Sequence, residues 1–182
     1  MTRQGVILYG PPTSGKDTIT AELARQDDRF ALLAKLKAGT GRTTGYRSVS
    51  ADDLTALREA GRLVVETGRY GNRYAVDRHD IEAITEAGRV PVVHMGNLAD
   101  LDRLRASVPL DWTAVLLWVP REVCAERSRQ RGDADTPKRL RAWDETDADL
   151  RAADALPFDL AVHTDQAEPA EAARQVIEAV KL

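Results

Sequence analysis

No stretch of the sequence restricts the fold more than Gly10-Pro11-Pro12-Thr13-Ser14-Gly15-Lys16, because of what stands on either side of it. Before it runs Gly5-Val6-Ile7-Leu8-Tyr9, a continuous apolar run of the kind found in strands buried on both faces. After it, Ile19 and Leu23 fall on one face of a helix expected at about 15–26. Two glycines separated by four residues let the backbone curl, so that successive N–H groups point at a common centre. The helix adds the positive end of its dipole to that centre. Lys16 adds a point charge that can reach the outer phosphates of a nucleoside triphosphate. Gly10, Pro11, Pro12, Thr13, Ser14, Gly15, Lys16, Asp17 and Thr18 are therefore expected to grip the phosphate tail of ATP. The residue after such a lysine is commonly a Ser or Thr that ligates Mg²⁺. Here it is Asp17, followed by Thr18, and both are candidate Mg²⁺ ligands.

Composition narrows the other possibilities. A chain of 182 residues, 43% apolar and 30% charged, suits one folded domain rather than a disordered segment. No apolar run approaches the roughly 20 residues of a membrane span. The N-terminus lacks signal-peptide organisation, so a cytoplasmic location without a membrane partner is expected. The lone Cys124 excludes an intrachain disulfide and a multi-cysteine metal site. A net charge of −3 argues against nucleic acid as a partner. All but five of the 26 basic residues are arginine, so position, not number, must carry any argument about a single arginine.

Strand and helix signals alternate along the rest of the chain. A short apolar run occupies 30–33, and 38–45 is a loop rich in Gly and Thr. Ser50-Ala51-Asp52-Asp53 resembles a capping box and opens a helix stopped by Gly61. Short strands are expected at 63–66 and 74–76, around a turn containing Gly71-Asn72. Asp77 caps a helix ended by Gly88; 90–95 and 114–119 are buried strands, with a helix at 98–106 between them. Helices at 121–131 and 137–153, split by Gly132-Asp133, precede a strand at 160–162 and a helix at 169–180. This order predicts an α/β protein with a parallel sheet covered on both faces.

Several segments resemble the guanylate kinase-like family of P-loop nucleoside monophosphate kinases, in family order and over nearly the whole chain. They are Tyr46-Arg47-Ser48-Val49-Ser50, Glu66 followed by Tyr70-Gly71-Asn72-Arg73-Tyr74, Arg127-Ser128-Arg129-Gln130-Arg131-Gly132, Lys138-Arg139-Leu140 and Phe158-Asp159-Leu160-Ala161-Val162. The resemblance implies a single P-loop NTPase-fold domain over 1–182, with a five-stranded parallel core at 1–37, 77–126 and 154–182. It also implies a small β-rich acceptor-binding insertion at 38–76 and a mobile arginine-rich lid at 127–153. Arg42, Tyr46 and Tyr74 stand where such proteins hold the acceptor phosphate. The family's second phosphate-binding arginine has no counterpart in 38–45, unless Arg47 substitutes. Ala75-Val76 stands where guanine-binding members carry Gly-Ser or Gly-Thr, so no side-chain donor reaches a base from there. The Gly-Lys-Asp loop also resembles that of ribose bisphosphate phosphokinases.

Phosphoryl transfer depends on positioning and charge neutralisation. Lys16 and three lid arginines are the expected catalytic cations: Arg127 and Arg131, four residues apart on one helical face, and Arg139 on the next helix. Glu66 and His94 are candidate acceptor-binding residues, and the nearest the chain has to a general base. The expected activity is transfer of the γ-phosphoryl group of ATP, with Mg²⁺, to a small phosphorylated acceptor, a nucleoside monophosphate being favoured. A sugar-phosphate kinase and a non-catalytic binding module are the alternatives. A homodimer is left open.

Overall fold

The computed structural model describes residues 3–132 and 134–180, so Asp133 of the expected helix break lies outside the described residues. Two sheets divide the chain. The larger takes β1 (Gln4–Tyr9), β2 (Phe30–Leu32), β7 (Val90–Met95), β8 (Asp111–Trp118) and β9 (Leu160–His163), in the order β2-β7-β1-β8-β9 and parallel throughout. The smaller takes β3 (Lys35–Ala38), β4 (Tyr46–Ser48), β5 (Leu63–Arg69) and β6 (Asn72–Asp77), in the order β4-β3-β6-β5. The helices are α1 (Lys16–Gln26), α2 (Ala51–Glu59), α3 (Arg78–Glu86), α4 (Leu98–Ser107), α5 (Arg121–Gln130), α6 (Thr136–Ala152) and α7 (Pro169–Ala179).

Strand periodicity explains how β1 serves two cores. Successive side chains point to opposite faces, so Val6 and Leu8 join Ile19 and Leu23 of α1 and Ala172, Ala173 and Val176 of α7. Ile7 and Tyr9 join Ile81 of α3 and Leu101 and Leu104 of α4 on the other face. The four β1 side chains are fully buried, which is why the run reads as continuously apolar.

The smaller sheet begins earlier than expected. Lys35–Ala38 pairs with β6 through Leu36↔Ala75 and Lys37↔Tyr74, so the boundary expected at 37/38 falls inside a strand. The hairpin between β5 and β6 turns on Tyr70 and Gly71, both at positive φ (54° and 76°), with Asn72 already in the strand. Positive φ at both central residues is the turn that matches strand twist, though a tyrosine there is strained. Ser50 and Asp53 form the expected capping box on α2.

The segment expected to be a mobile lid is tied down along most of its length. Asp149 accepts from Tyr9 Oη (3.1 Å) and from the Leu98 amide (2.7 Å). Trp143 Nε1 donates to the Val119 carbonyl (2.9 Å). These bonds join α6 to β1, to the start of α4 and to the end of β8.

Leu8 has no exposed surface and sits where β1 meets α1 and α7. Leu8→Ala is expected to destabilise the fold by about 3 kcal/mol, read from the denaturant midpoint at unchanged m-value.

Candidate active site

The carboxyl ends of β1 and β7 meet the smaller sheet around a cleft of about 180 Å³. In open parallel sheets this is where ligands bind. Its floor is the loop between β1 and α1.

The loop's carbonyls are all turned to partners. Lys16 Nζ donates to the Gly10 and Pro11 carbonyls at 2.7 and 2.9 Å. Cys124 Sγ donates to Pro12 O at 3.3 Å, Arg127 Nη1 to Thr13 O at 3.0 Å, and Thr164 Oγ1 to Ser14 O at 2.7 Å. Gly15 O accepts from the Ile19 amide at 2.9 Å. With the carbonyls committed, and with α1 beginning at Lys16, the first-turn amides have no intrahelical acceptor. Pro11 and Pro12 have no amide hydrogen and the Ser14 amide donates to Pro11 O at 3.3 Å, so the amides left for an anion are those of Thr13 and of Gly15 to Asp17. Thr13 holds φ 62°, a left-handed conformation that is costly for a β-branched residue. The bonds from Arg127 and Thr164 on either side of its peptide hold it there. A Cβ on Gly10 would strike the Leu117 carbonyl and Ser14 Oγ, so only glycine lets β1 turn so closely into the loop.

Charge dominates the rest of the cleft. Lys16, Lys35, Arg42, Arg69, Arg131 and Arg139 line it, against Asp17 and Asp100. Loss of hydration, with Arg69 nearby, pushes Lys16 down to about 7 and Lys35 to about 8. Burial would raise Asp17, but its hydrogen bond and ion pair with Arg42, with Lys16 nearby, outweigh that and hold its carboxyl below the ordinary value. Arg42 Nη2 meets Asp17 Oδ2 at 2.9 Å. The Thr20 hydroxyl gives its single proton to Lys16 O at 2.7 Å, so at 2.8 Å His94 Nε2 must donate to Thr20. The His94 Nδ1 lone pair then faces Asp17 Oδ1 at 3.8 Å. Burial, reinforced by Lys16, pushes His94 down to about 3, so the ring is neutral and a poor base.

The expected site residues divide into three groups. Pro12 to Asp17, Arg42, Tyr46, Tyr74, His94, Arg131 and Arg139 line one cleft. Gly10 and Pro11 act behind it through their carbonyls. Three residues stand elsewhere. Thr18 is exposed and off the cleft wall, so Asp17 is the metal candidate that remains. Glu66 is held by Arg58 (2.6 and 2.9 Å) and Arg73 (3.3 Å), away from any acceptor. Arg127 reaches Thr13 O, Thr164 O and Thr164 Oγ1, which makes it a brace behind the loop rather than a lid cation. Arg47 does not supply the missing second arginine, because it pairs with Asp77 and Asp80 outside the cleft. Sequence reasoning missed Lys35, Arg69, Asn97 and Asp100.

A parallel five-stranded sheet with a glycine-bounded loop between its central strand and the next helix is the architecture of P-loop kinases. The chain shares that fold with a guanylate kinase from Anaplasma phagocytophilum, at a TM-score of 0.68 and 14% identity over 97% of this chain and 84% of that one. A gluconokinase from Sinorhizobium meliloti 1021 aligns at a TM-score of 0.52 and 19% identity, over 98% and 91%. No protein-family model matches the sequence, and no curated protein matches it significantly. Among the described residues no helix is long and apolar enough to cross a membrane.

Two outcomes are expected. Thr164→Val keeps the side-chain shape but removes the bond to Ser14 O; it should weaken ATP binding on the order of tenfold, measured by equilibrium titration. Burial leaves Lys16 largely neutral in the free protein above about pH 7, and a triphosphate bound against it would favour the ammonium form. Proton uptake per ATP bound should therefore rise between about pH 6 and about pH 8, as calorimetry in buffers of different ionisation enthalpy would record; a flat profile would contradict the assigned contact.

Proposed function

We propose that the protein is an ATP-dependent kinase that moves the γ-phosphoryl group of ATP onto a small phosphorylated acceptor, a nucleoside monophosphate being the favoured substrate. One observation carries this reading: the phosphate loop with Lys16 opens onto the same cleft as Lys35, Arg42 and Arg69 of the smaller sheet and its loops. Six cations against two carboxylates suit two anionic partners facing each other, and would be poorly matched to a neutral ligand.

The residues have distinct parts in such a transfer. Lys16 exchanges the Gly10 and Pro11 carbonyls for β- and γ-phosphate oxygens, and its charge counters what develops on the transferring group. Arg131, at the C-cap of α5, and Arg139, in the first turn of α6, reach the cleft from the α5 and α6 side and exclude water as they close. A phosphate acceptor is already ionised, so the chemistry needs no general base, in keeping with a neutral His94. Asp17 fits a Mg²⁺ ion: it is ionised, half-exposed and beside the nest. No group of three His, Cys, Asp or Glu able to hold a metal occurs among the described residues. Mg²⁺ would thus rest on Asp17, water and phosphate oxygens, as is usual for this ion. Once bound, it supplies charge neutralisation and fixes the phosphate geometry.

A second reading, a sugar phosphate as acceptor, has its own support. Ala75 and Val76 are buried in the smaller sheet's cores and Glu66 is committed to arginines, so three positions that could read a base edge do not face the cleft. Coupled ADP-release assays across nucleoside monophosphates and sugar phosphates separate the readings. Lys16→Ala should cut turnover at least about a hundredfold with the fold intact. Near-normal turnover would remove the basis of the proposal.

A further inference from the structure

Lys35 is the anomaly of the cleft. It opens β3 and lines the cavity, yet among the described residues the hydrogen-bond contact of its ammonium is Met95 Sδ at 3.9 Å. A thioether is a weak acceptor, so this half-buried cation has no proper partner there. Lys37, two residues on, donates to Arg42 O at 2.7 Å and lies 5.6 and 5.9 Å from the Tyr46 and Tyr74 ring centres. The carboxylate nearest in charge to Lys35 is Asp100, but its oxygens are engaged by Thr67, by Asn97 Nδ2 at 2.8 Å and by Arg103 at 3.5 Å. Arg69 adds to the imbalance. Its guanidinium lies across Gly96, where a Cβ would collide with Nη1, and it is held by Ala142 O at 3.3 Å and loosely by Glu145 at 3.9 Å. Lys16 feels both Arg69 and Lys35 as like charges, and Lys35 feels Arg69. Three cations gathered beside a phosphate cradle, one lacking an oxygen partner, form a site that an anion completes.

Resting on the kinase reading above, we propose that Lys35, with Arg69, grips the phosphate of the acceptor and supplies the second cation that neither the 38–45 loop nor Arg47 provides. The group recognised is a phosphomonoester dianion. The ammonium exchanges Met95 Sδ for a phosphate oxygen, and the dianion relieves the repulsion among Lys16, Lys35 and Arg69. Binding of the acceptor therefore assembles the charge balance that the empty cleft lacks.

The test uses the full chain saturated with a non-hydrolysable ATP analogue and Mg²⁺, into which inorganic phosphate is titrated calorimetrically. The unaltered protein is expected to bind phosphate, and Lys35→Met to weaken it by at least about tenfold while the affinity for the analogue is essentially unchanged. Because Lys35→Met removes a half-buried charge that lacks an oxygen partner, the variant should also melt no lower than its parent. Lys35→Gln, which keeps a polar tip without the charge, should lose phosphate as Lys35→Met does. Equal phosphate affinity in parent and variants, or no phosphate binding to the analogue-loaded parent, would overturn the assignment. An analogue that fails to bind the parent would instead bring down the kinase reading, and this inference with it.

Discussion

Six committed carbonyls, Gly10 to Gly15, are the constraint on which the rest of the site depends. A loop can present its amides to an anion only if its carbonyls are satisfied elsewhere, because an unbonded buried carbonyl is costly. Here the partners come from remote parts of the chain: Cys124 and Arg127 from α5, Thr164 from just beyond β9, and Lys16 from the loop's own helix. The loop is thus held by elements that the parallel sheet brings together, and it cannot keep its shape without them. This also explains why Arg127 is spent behind the loop. The Thr13 backbone is strained, and a guanidinium bonded to its carbonyl and to both oxygens of Thr164 locks it from two sides.

The cationic cleft is a concession in the opposite direction. Lys16 and Lys35 are both displaced well below the ordinary lysine range by lost hydration. Keeping such groups protonated in the folded state opposes folding, and that burden eases as pH rises from the folded value toward the unfolded one. The two apolar cores on either side of β1 supply the stability against which this is set. Natural sites commonly show this arrangement, in which a rigid, well-packed sheet carries a locally unfavourable cluster that a ligand completes.

Much of this was legible in the sequence because strong periodicity and sharp punctuation coincide. The buried strands read directly from apolar runs, and the helices from caps such as Ser50, Asp77 and Pro169. What escaped has physical reasons. Strands β3 and β4 are four and three residues long and carry lysine, arginine and tyrosine rather than an apolar run, so β3 is placed by its pairing with β6 and β4 by its pairing with β3, not by their own pattern. Glu66 looked like a binding carboxylate, but which face of an edge strand it takes, and that Arg58 waits there, are tertiary facts. Arg127 and Arg131 do share a helical phase, yet α5 ends at Gln130, so one packs inward on the loop while the other is carried to the cleft rim.

The lysines held a signal that periodicity did not. In a chain that uses arginine at nearly every basic position, a lysine marks a place where a fork-shaped, always-charged guanidinium would not serve. Three of the five lysines, Lys16, Lys35 and Lys37, cluster at the cleft and its supporting strand. Lys16 must curl back onto its own loop, and Lys35 sits under β7 against a methionine; both need a compact head on a thin stem. The arginines Arg131 and Arg139 come instead from the end of α5 and from α6, where reach and planar recognition of phosphate matter more than size. The division of labour between the two cations follows from the space around each, and that makes Lys35 a more natural partner of Lys16 than any of the arginines that outnumber it.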